Sequence, residues 1–186
     1  MGVALAAAAW RRGADVTLIA GPLSVPAPVG VRAVPVQTTA EMADAVGKAL
    51  ADADVLVMAA APADFGAAEP AGEKIKKGNA PAALALASTP DILLATRPQR
   101  RRGTIVVGFA LETNDPVANG RKKLEAKGLD LVVVNDATEP GAGFGVDTNR
   151  VTLVAVGGGE EVVPLMGKDE VADVILDRVE GLLRGR

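Results

Sequence analysis

Three lysines surround one isoleucine in Glu73-Lys74-Ile75-Lys76-Lys77, and in an acidic protein such a concentrated positive element can close on a polyphosphate. A lysine run is also a common solvated surface; its place in a loop opposite Asp64 brings the two readings level. Further residues suited to ligand contact sit just after apolar runs, where open parallel sheets bind their ligands. They are Ala60-Ala61-Pro62-Ala63-Asp64-Phe65, Gly108-Phe109-Ala110-Leu111-Glu112-Thr113, Asn135-Asp136 and the helix start Thr89-Pro90-Asp91-Ile92. The helix start offers free N–H groups and a positive dipole end to an anion. Asp64, Glu112 and Asp136 could each help hold hydrated magnesium or read a sugar hydroxyl, or serve as turn and cap carboxylates. Phe65, Phe109 and Phe144 all fall in such loops, which suits rings kept for a base or ribose, or plugs for a sheet end.

Composition removes other chemistry. The chain has no cysteine and no histidine, so disulfides, thiolate zinc sites, a thiol nucleophile and a Ser-His-Asp triad are all excluded. Acid–base work falls to Asp, Glu, Lys or the substrates, and any metal would be a hard ion held by oxygens. A formal charge of −3 argues against a general nucleic-acid binder. Arg100-Arg101-Arg102 reads as a solvated loop before a strand, with an anion contact as the alternative. Charged residues interrupt every apolar run before the roughly 18 to 20 residues that span a bilayer, and the first dozen residues lack the features of a secretory signal. A cytoplasmic protein with no membrane partner is expected.

The elements that would position these residues alternate. A length of 186 residues with 49% hydrophobic content suits one domain over 1–186. Helices are predicted over Gly2–Arg12, from a Thr38 or Thr39 cap to about Ala51, from Thr89-Pro90-Asp91 with Thr89 as its cap and Pro90 in its first turn, over Pro116–Lys127 and over Lys168–Leu183. Strands are predicted over Asp15–Ala20, Val31–Val36, Asp54–Ala61 (central in the sheet), Ala82–Ala87, Thr104–Phe109 and Leu129–Val134. Val151–Val156 and Glu160–Leu165, joined by three glycines, predict an antiparallel hairpin. The stretch at about 62–81, with three prolines and three glycines, has no clear period and reads as a flap-like excursion. The pattern is that of an α/β, Rossmann-like, doubly wound and mostly parallel sheet with a C-terminal antiparallel hairpin. Such folds usually open with a strand and a glycine-rich loop feeding the first helix, so a first strand and loop are expected ahead of Gly2.

Taken in order, these segments resemble the phosphopantothenoylcysteine synthetase family. The run starts at Gly21-Pro22-Leu23-Ser24-Val25-Pro26 and Thr39-Ala40-Glu41-Met42. It continues through Ala60 to Phe65, Lys74-Ile75-Lys76-Lys77, Pro90-Asp91-Ile92, Val107-Gly108-Phe109-Ala110 with Glu112-Thr113, and Lys123-Leu124. It ends with Asn135-Asp136, Gly143-Phe144, Asp147, Asn149 and Val151-Thr152-Leu153. The chain departs from the family pattern at Gly66, where members usually carry arginine, and at Pro62, where they carry a small aliphatic. The resemblance implies a ligase that uses CTP, with Mg2+, to activate 4′-phosphopantothenate as an acyl-cytidylate, which L-cysteine then attacks. By the same likeness Lys74 would contact the triphosphate as the catalytic lysine and Asp64 the nucleotide. Ala60 and Phe109 would line the cytosine and ribose pocket, the Pro90-Asp91-Ile92 amides would hold phosphates, and Lys123 and Lys127 would join the nucleotide contacts. It further implies a homodimer with the lysine flap near the partner subunit, and a flavin-dependent phosphopantothenoylcysteine decarboxylase domain fused or associated. The family's phosphate loop would lie ahead of Met1.

Two other readings stay open on the residues alone. One is a nucleotide-binding domain without complete catalytic machinery. The other, an NAD(P)-dependent oxidoreductase, has less support, because no G-x-G-x-x-G follows a strand and opens a helix.

Overall fold

The computed structural model describes residues 1–76, 83–139, 141–142 and 145–185. In chain order its elements are α1 (Gly2–Arg11), β1 (Thr17–Ala20), β2 (Arg32–Pro35), α2 (Thr39–Ala49), β3 (Val55–Met58), β4 (Phe65–Ala67) and β5 (Leu86–Ser88). There follow α3 (Ile92–Ala95), β6 (Ile105–Glu112), α4 (Pro116–Lys127), β7 (Leu131–Asp136), β8 (Thr148–Ala155), β9 (Glu160–Gly167) and α5 (Lys168–Arg184).

Local chemistry accounts for most of these boundaries. Thr38 caps α2, accepting from the Glu41 amide at 3.1 Å while the Glu41 carboxylate accepts from the Thr38 amide at 3.2 Å. This reciprocal arrangement satisfies two of the helix's unpaired donors. Pro116 opens α4, and Gly128 ends it in the left-handed region at φ +59°, where a residue with a Cβ is strained. In α5, Val171, Ala172, Ile175, Leu176 and Val179 recur at helical spacing and are all buried.

A five-stranded sheet runs in the order β3-β6-β7-β8-β9. The first three strands are parallel, and β8 and β9 turn back as an antiparallel pair. The sheet separates two cores. On one face α1 and α5 pack on Ile105, Val107, Leu131 and Val133; on the other, α2, α3 and α4 pack on Met58, Val106, Val132 and Val134. β6 and β7 bury residues toward both faces, as strands covered by helices on two sides must. The fold class is therefore as expected. Among the described residues no helix is long and apolar enough to cross a membrane.

Four expectations need correction. β3 lies at one end of the five-stranded sheet and not at its centre; β1 and β2 pair with each other in a separate parallel sheet. Ile19 of β1 and Leu56 of β3 nevertheless pack on the same core, which includes Val46 of α2. The 62–81 excursion begins with a strand, because β4 pairs antiparallel with β5 outside the main sheet; of the expected strand over 82–87, Ala82 lies outside the described residues. The segment from Gly108 to Glu112 is not a loop after β6 but its second half, held by pairing from Val107↔Leu131 to Glu112↔Asp136. Finally, Asp91 and not Thr89 caps α3, which is one turn long.

Candidate functional site

The lysines of α4 come closest to a built site. Leu124 anchors α4 in the core, and Lys123 and Lys127 lie one turn apart on the same side of the helix. Lys123 is half-buried and its Nζ donates to the carbonyl of Phe109 on β6 at 2.5 Å. Burial first, and then the nearby Lys127, pull the Lys123 pKa below its usual value, while Glu112, Asp91 and Asp64 act in the opposite direction. The fold thus brings Asp64, Asp91, Glu112, Lys127 and the Phe109 carbonyl within electrostatic range of Lys123.

Asp91 joins two elements. Its carboxylate accepts from the Leu94 amide at 3.2 Å and lies 2.9 Å from the Lys127 ammonium. Burial alone would raise its pKa; the Lys127 hydrogen bond and the capping amide outweigh that and hold it below the ordinary value. The helix start read as an anion site is therefore occupied in part by the chain's own carboxylate. Pro90 is exposed and Ile92 is buried in the core under α2. Thr89 serves differently from a cap: its amide donates to the Asp64 carbonyl at 2.9 Å and its hydroxyl to the Ala63 carbonyl at 2.5 Å. That pins the backbone of Asp64 while its side chain stays at the surface.

The remaining sequence candidates divide. Ala60 is exposed just beyond β3. The Phe109 side chain packs on the α1/α5 core, opposite to the face that carries Lys123; the residue reaches the lysine through its carbonyl. Phe65 is 60% exposed on β4, and Gly143, Phe144 and Lys77 lie outside the described residues. Lys74 and Lys76 are exposed. Glu112 is half-buried, with the Asn119 amide 3.5 Å from its carboxylate. Asp136 is a turn carboxylate: it accepts from the hydroxyl and the amide of Thr138 at 2.6 and 2.8 Å, which lowers its pKa.

Sequence reasoning missed two residues. Asp115, at the exit of β6, sits in the left-handed region at φ +43°, the one such residue other than glycine among those described. Arg100, read as solvated, turns inward and donates to three backbone carbonyls. The aspartate could have been flagged by its place before Pro116, the arginine by nothing local. A shallow apolar hollow of about 280 Å³ at the ends of β1 and β2, lined by residues such as Leu18, Pro22, Val25 and Pro35, shares none of the site residues.

Comparison with known proteins adds the following. The family described as DNA/pantothenate metabolism flavoprotein C-terminal domain matches residues 1–182. The chain is 42% identical over 183 residues to the coenzyme A biosynthesis bifunctional protein CoaBC of Bacillus subtilis, which covers 98% of this chain and 45% of that protein. It is 38% identical over 180 residues to a cysteine/cysteine sulfinic acid decarboxylase of an unknown prokaryotic organism, covering 96% of the chain and 50% of that protein. The chain spans about half the length of the curated relatives it matches. Its fold is similar to the crystal structure of the C-terminal domain of a CoaBC protein, with a TM-score of 0.82 at 29% identity, covering 99% of this chain and 82% of that one.

Proposed function

Because the chain belongs to the DNA/pantothenate metabolism flavoprotein C-terminal domain family, we propose that it is the ligase unit that joins 4′-phosphopantothenate to L-cysteine, driven by CTP, in coenzyme A biosynthesis. The observation that carries this reading is the half-buried Lys123 at β6, with Lys127 one turn on and Asp64, Asp91 and Glu112 in range of its charge. Two ammonium groups one turn apart on α4, the first of them bonded to β6, suit a triphosphate.

In the proposed first step a carboxylate oxygen of phosphopantothenate bonds to the α-phosphorus of CTP, the bond to the β-bridging oxygen breaks, and pyrophosphate leaves with that electron pair. In the second, the cysteine amine bonds to the acyl carbon, the acyl–oxygen bond breaks, CMP departs, and the amine releases a proton to water. Charge gathers on phosphate oxygens in both steps, so fixed cations supply the stabilisation and no histidine is needed. In this scheme Lys123 and Lys127 bind the phosphates, Lys74 closes on them from the flap as the catalytic lysine, and Asp64, Ala60 and the Phe109 backbone border the nucleoside. Magnesium bound with CTP would neutralise phosphate charge. Asp64, Glu112 or Asp136 would offer that ion single carboxylate contacts.

The same reading includes a cytoplasmic homodimer. Phe65, Leu84 and Leu86 are exposed on or beside the projecting β4–β5 pair, an apolar surface of the kind that marks an interface. It also includes an associated flavin-dependent decarboxylase domain, supported by the twofold length of the relatives.

Pyrophosphate release should require both CTP and phosphopantothenate, and CTP with magnesium should raise the melting temperature while NAD and NADP do not. Release that ignores phosphopantothenate, or a thermal shift confined to the dinucleotides, would overturn the proposal. Lys74→Gln should weaken CTP binding; unchanged affinity would remove the flap lysine from the site.

A further inference from the structure

The arginine run after α3 does not act as a unit. Arg101 reaches outward to Asp54 at 2.9 Å and Arg102 is exposed. Arg100 is half-buried: its Nη1 donates to the carbonyls of Lys127 and Gly128, each at 3.2 Å, and its Nη2 donates to the carbonyl of Leu93. Its Nε is buried with no acceptor. Burying a guanidinium against neutral carbonyls, with one N–H unanswered, is a poor way to gain stability. Burial and the neighbouring Arg97 both press on its charge.

What a guanidinium supplies there is geometry. Its rigid fork spans two elements in a way that a flexible ammonium cannot. Its acceptors belong to α3 and to the last turn of α4, and across the same junction Asp91 pairs with Lys127. The contacts therefore close a ring: Asp91 to Leu93 along the chain, Leu93 to Lys127 through Arg100, and Lys127 back to Asp91 through the ion pair. α3 has only four residues, too few to hold its place by helical cooperativity. Without the fork, the polar links between the Asp91 turn and the end of α4 would be reduced to one partly exposed ion pair, beside the apolar contacts of Ile92 and Leu93 with the core that Leu124 shares.

We infer that Arg100 is a positioning residue of the nucleotide site, a staple that fixes the end of α4, with Lys123 and Lys127, against the Asp91 turn. The inference rests on the nucleotide reading given above. The test compares the full chain with Arg100→Met, Arg100→Lys and, as a control on the opposite face, Arg12→Gln, which breaks the contacts of Arg12 with Asp173, Asp177 and Glu180. The readouts are CTP affinity with magnesium by calorimetry, the melting temperature without ligand, and amide exchange.

Arg100→Met should bind CTP about tenfold more weakly with little change in melting temperature. Arg100→Lys should recover part of that loss, and the amides of Leu94 and Gly128 should exchange faster in both variants. Arg12→Gln should lower the melting temperature and leave CTP affinity unchanged. Wild-type affinity in Arg100→Met, unchanged exchange at Leu94 and Gly128, or an equal loss of affinity in Arg12→Gln would overturn the inference. If the wild-type chain binds no CTP, the nucleotide reading fails and the role assigned to Arg100 falls with it.

Discussion

Asp91 combines a cap and an ion pair in one carboxylate, and the two can be separated by substitution. Asn also caps helices, so Asp91→Asn removes the charge and keeps the cap. Because the folded carboxyl is held below its ordinary value of 3.8, its contribution to stability is present above that value and is lost as pH falls through the folded pKa. The aspartate side chain is 36% exposed, so screening limits the contribution to about 0.5 kcal/mol at pH 7. Melting curves of the two proteins should differ slightly at pH 7, begin to approach each other below about pH 4 and coincide only once the pH is below the lowered folded pKa; a gap that widens in acid would exclude this account. Asp115 tests backbone strain in the same way. At φ +43° an aspartate is tolerated but not relaxed, and alanine, which lacks a polar group to bond locally, should cost about 1 kcal/mol there. Asp115→Gly should melt no lower than wild type, and a marked loss in that variant would show that the side chain, not the φ angle, matters.

Between elements, two glycines decide how closely α4 approaches the sheet. A Cβ on Gly108 of β6 would lie 2.6 Å from Leu129 Cδ1, and one on Gly120 of α4 would lie 2.5 Å from Val134 Cγ2. Gly120→Ala therefore sets two effects against each other. Helix propensity favours alanine by about 1 kcal/mol, while overpacking a tight junction costs about 1 to 3 kcal/mol. We expect the second to win, with a lower melting temperature and weaker CTP binding as α4 lifts and carries Lys123 with it; a more stable variant would show that the junction has slack. The limits of α4 were legible because Pro116 and Gly128 act through local backbone geometry, and the capping pair Thr38–Glu41 acts within one turn. The end position of β3 was not legible, since an apolar run such as Val55–Met58 is the same whether or not a neighbour pairs with its second edge. Thr89 was misplaced as a cap because its partners, Ala63 and Asp64, are some 25 residues away in sequence. At the site, Lys123 and Asp64 could be found from their places after apolar runs or within family motifs, whereas Arg100 acts on whichever carbonyls the folded chain brings together.

Across the whole molecule burial is uneven, and that should appear as uneven stability. Ile105, Val107, Leu131, Val132, Val133 and Val154 are inaccessible to solvent, so β6, β7 and the inner strand of the hairpin can open only when both cores open. No β1 residue is fully buried and three of the four β2 residues are exposed. These two strands are hydrogen-bonded to each other but not to β3. Their hold on the rest comes from Ile19 and, just past β2, the buried Val36 against the α2 core, and from Trp10 of α1, whose indole covers Gly30 so closely that a Cβ there would lie 2.3 Å away. Segments with few buried apolar contacts and edge hydrogen bonds open at lower free energy than the global transition. In native-state amide exchange, Val106, Val107, Val132 and Val133 should therefore exchange only through global unfolding, with rates that rise steeply on adding low denaturant. Arg32, bonded to the Val16 carbonyl, and Val36, bonded to the Ala20 carbonyl, should exchange earlier and with a shallower dependence, because a local opening exposes less surface. If these amides share the free energy and denaturant slope of β6 and β7, the β1–β2 pair is part of one cooperative unit, and the contacts through Ile19 and Trp10 are stronger than their exposure implies.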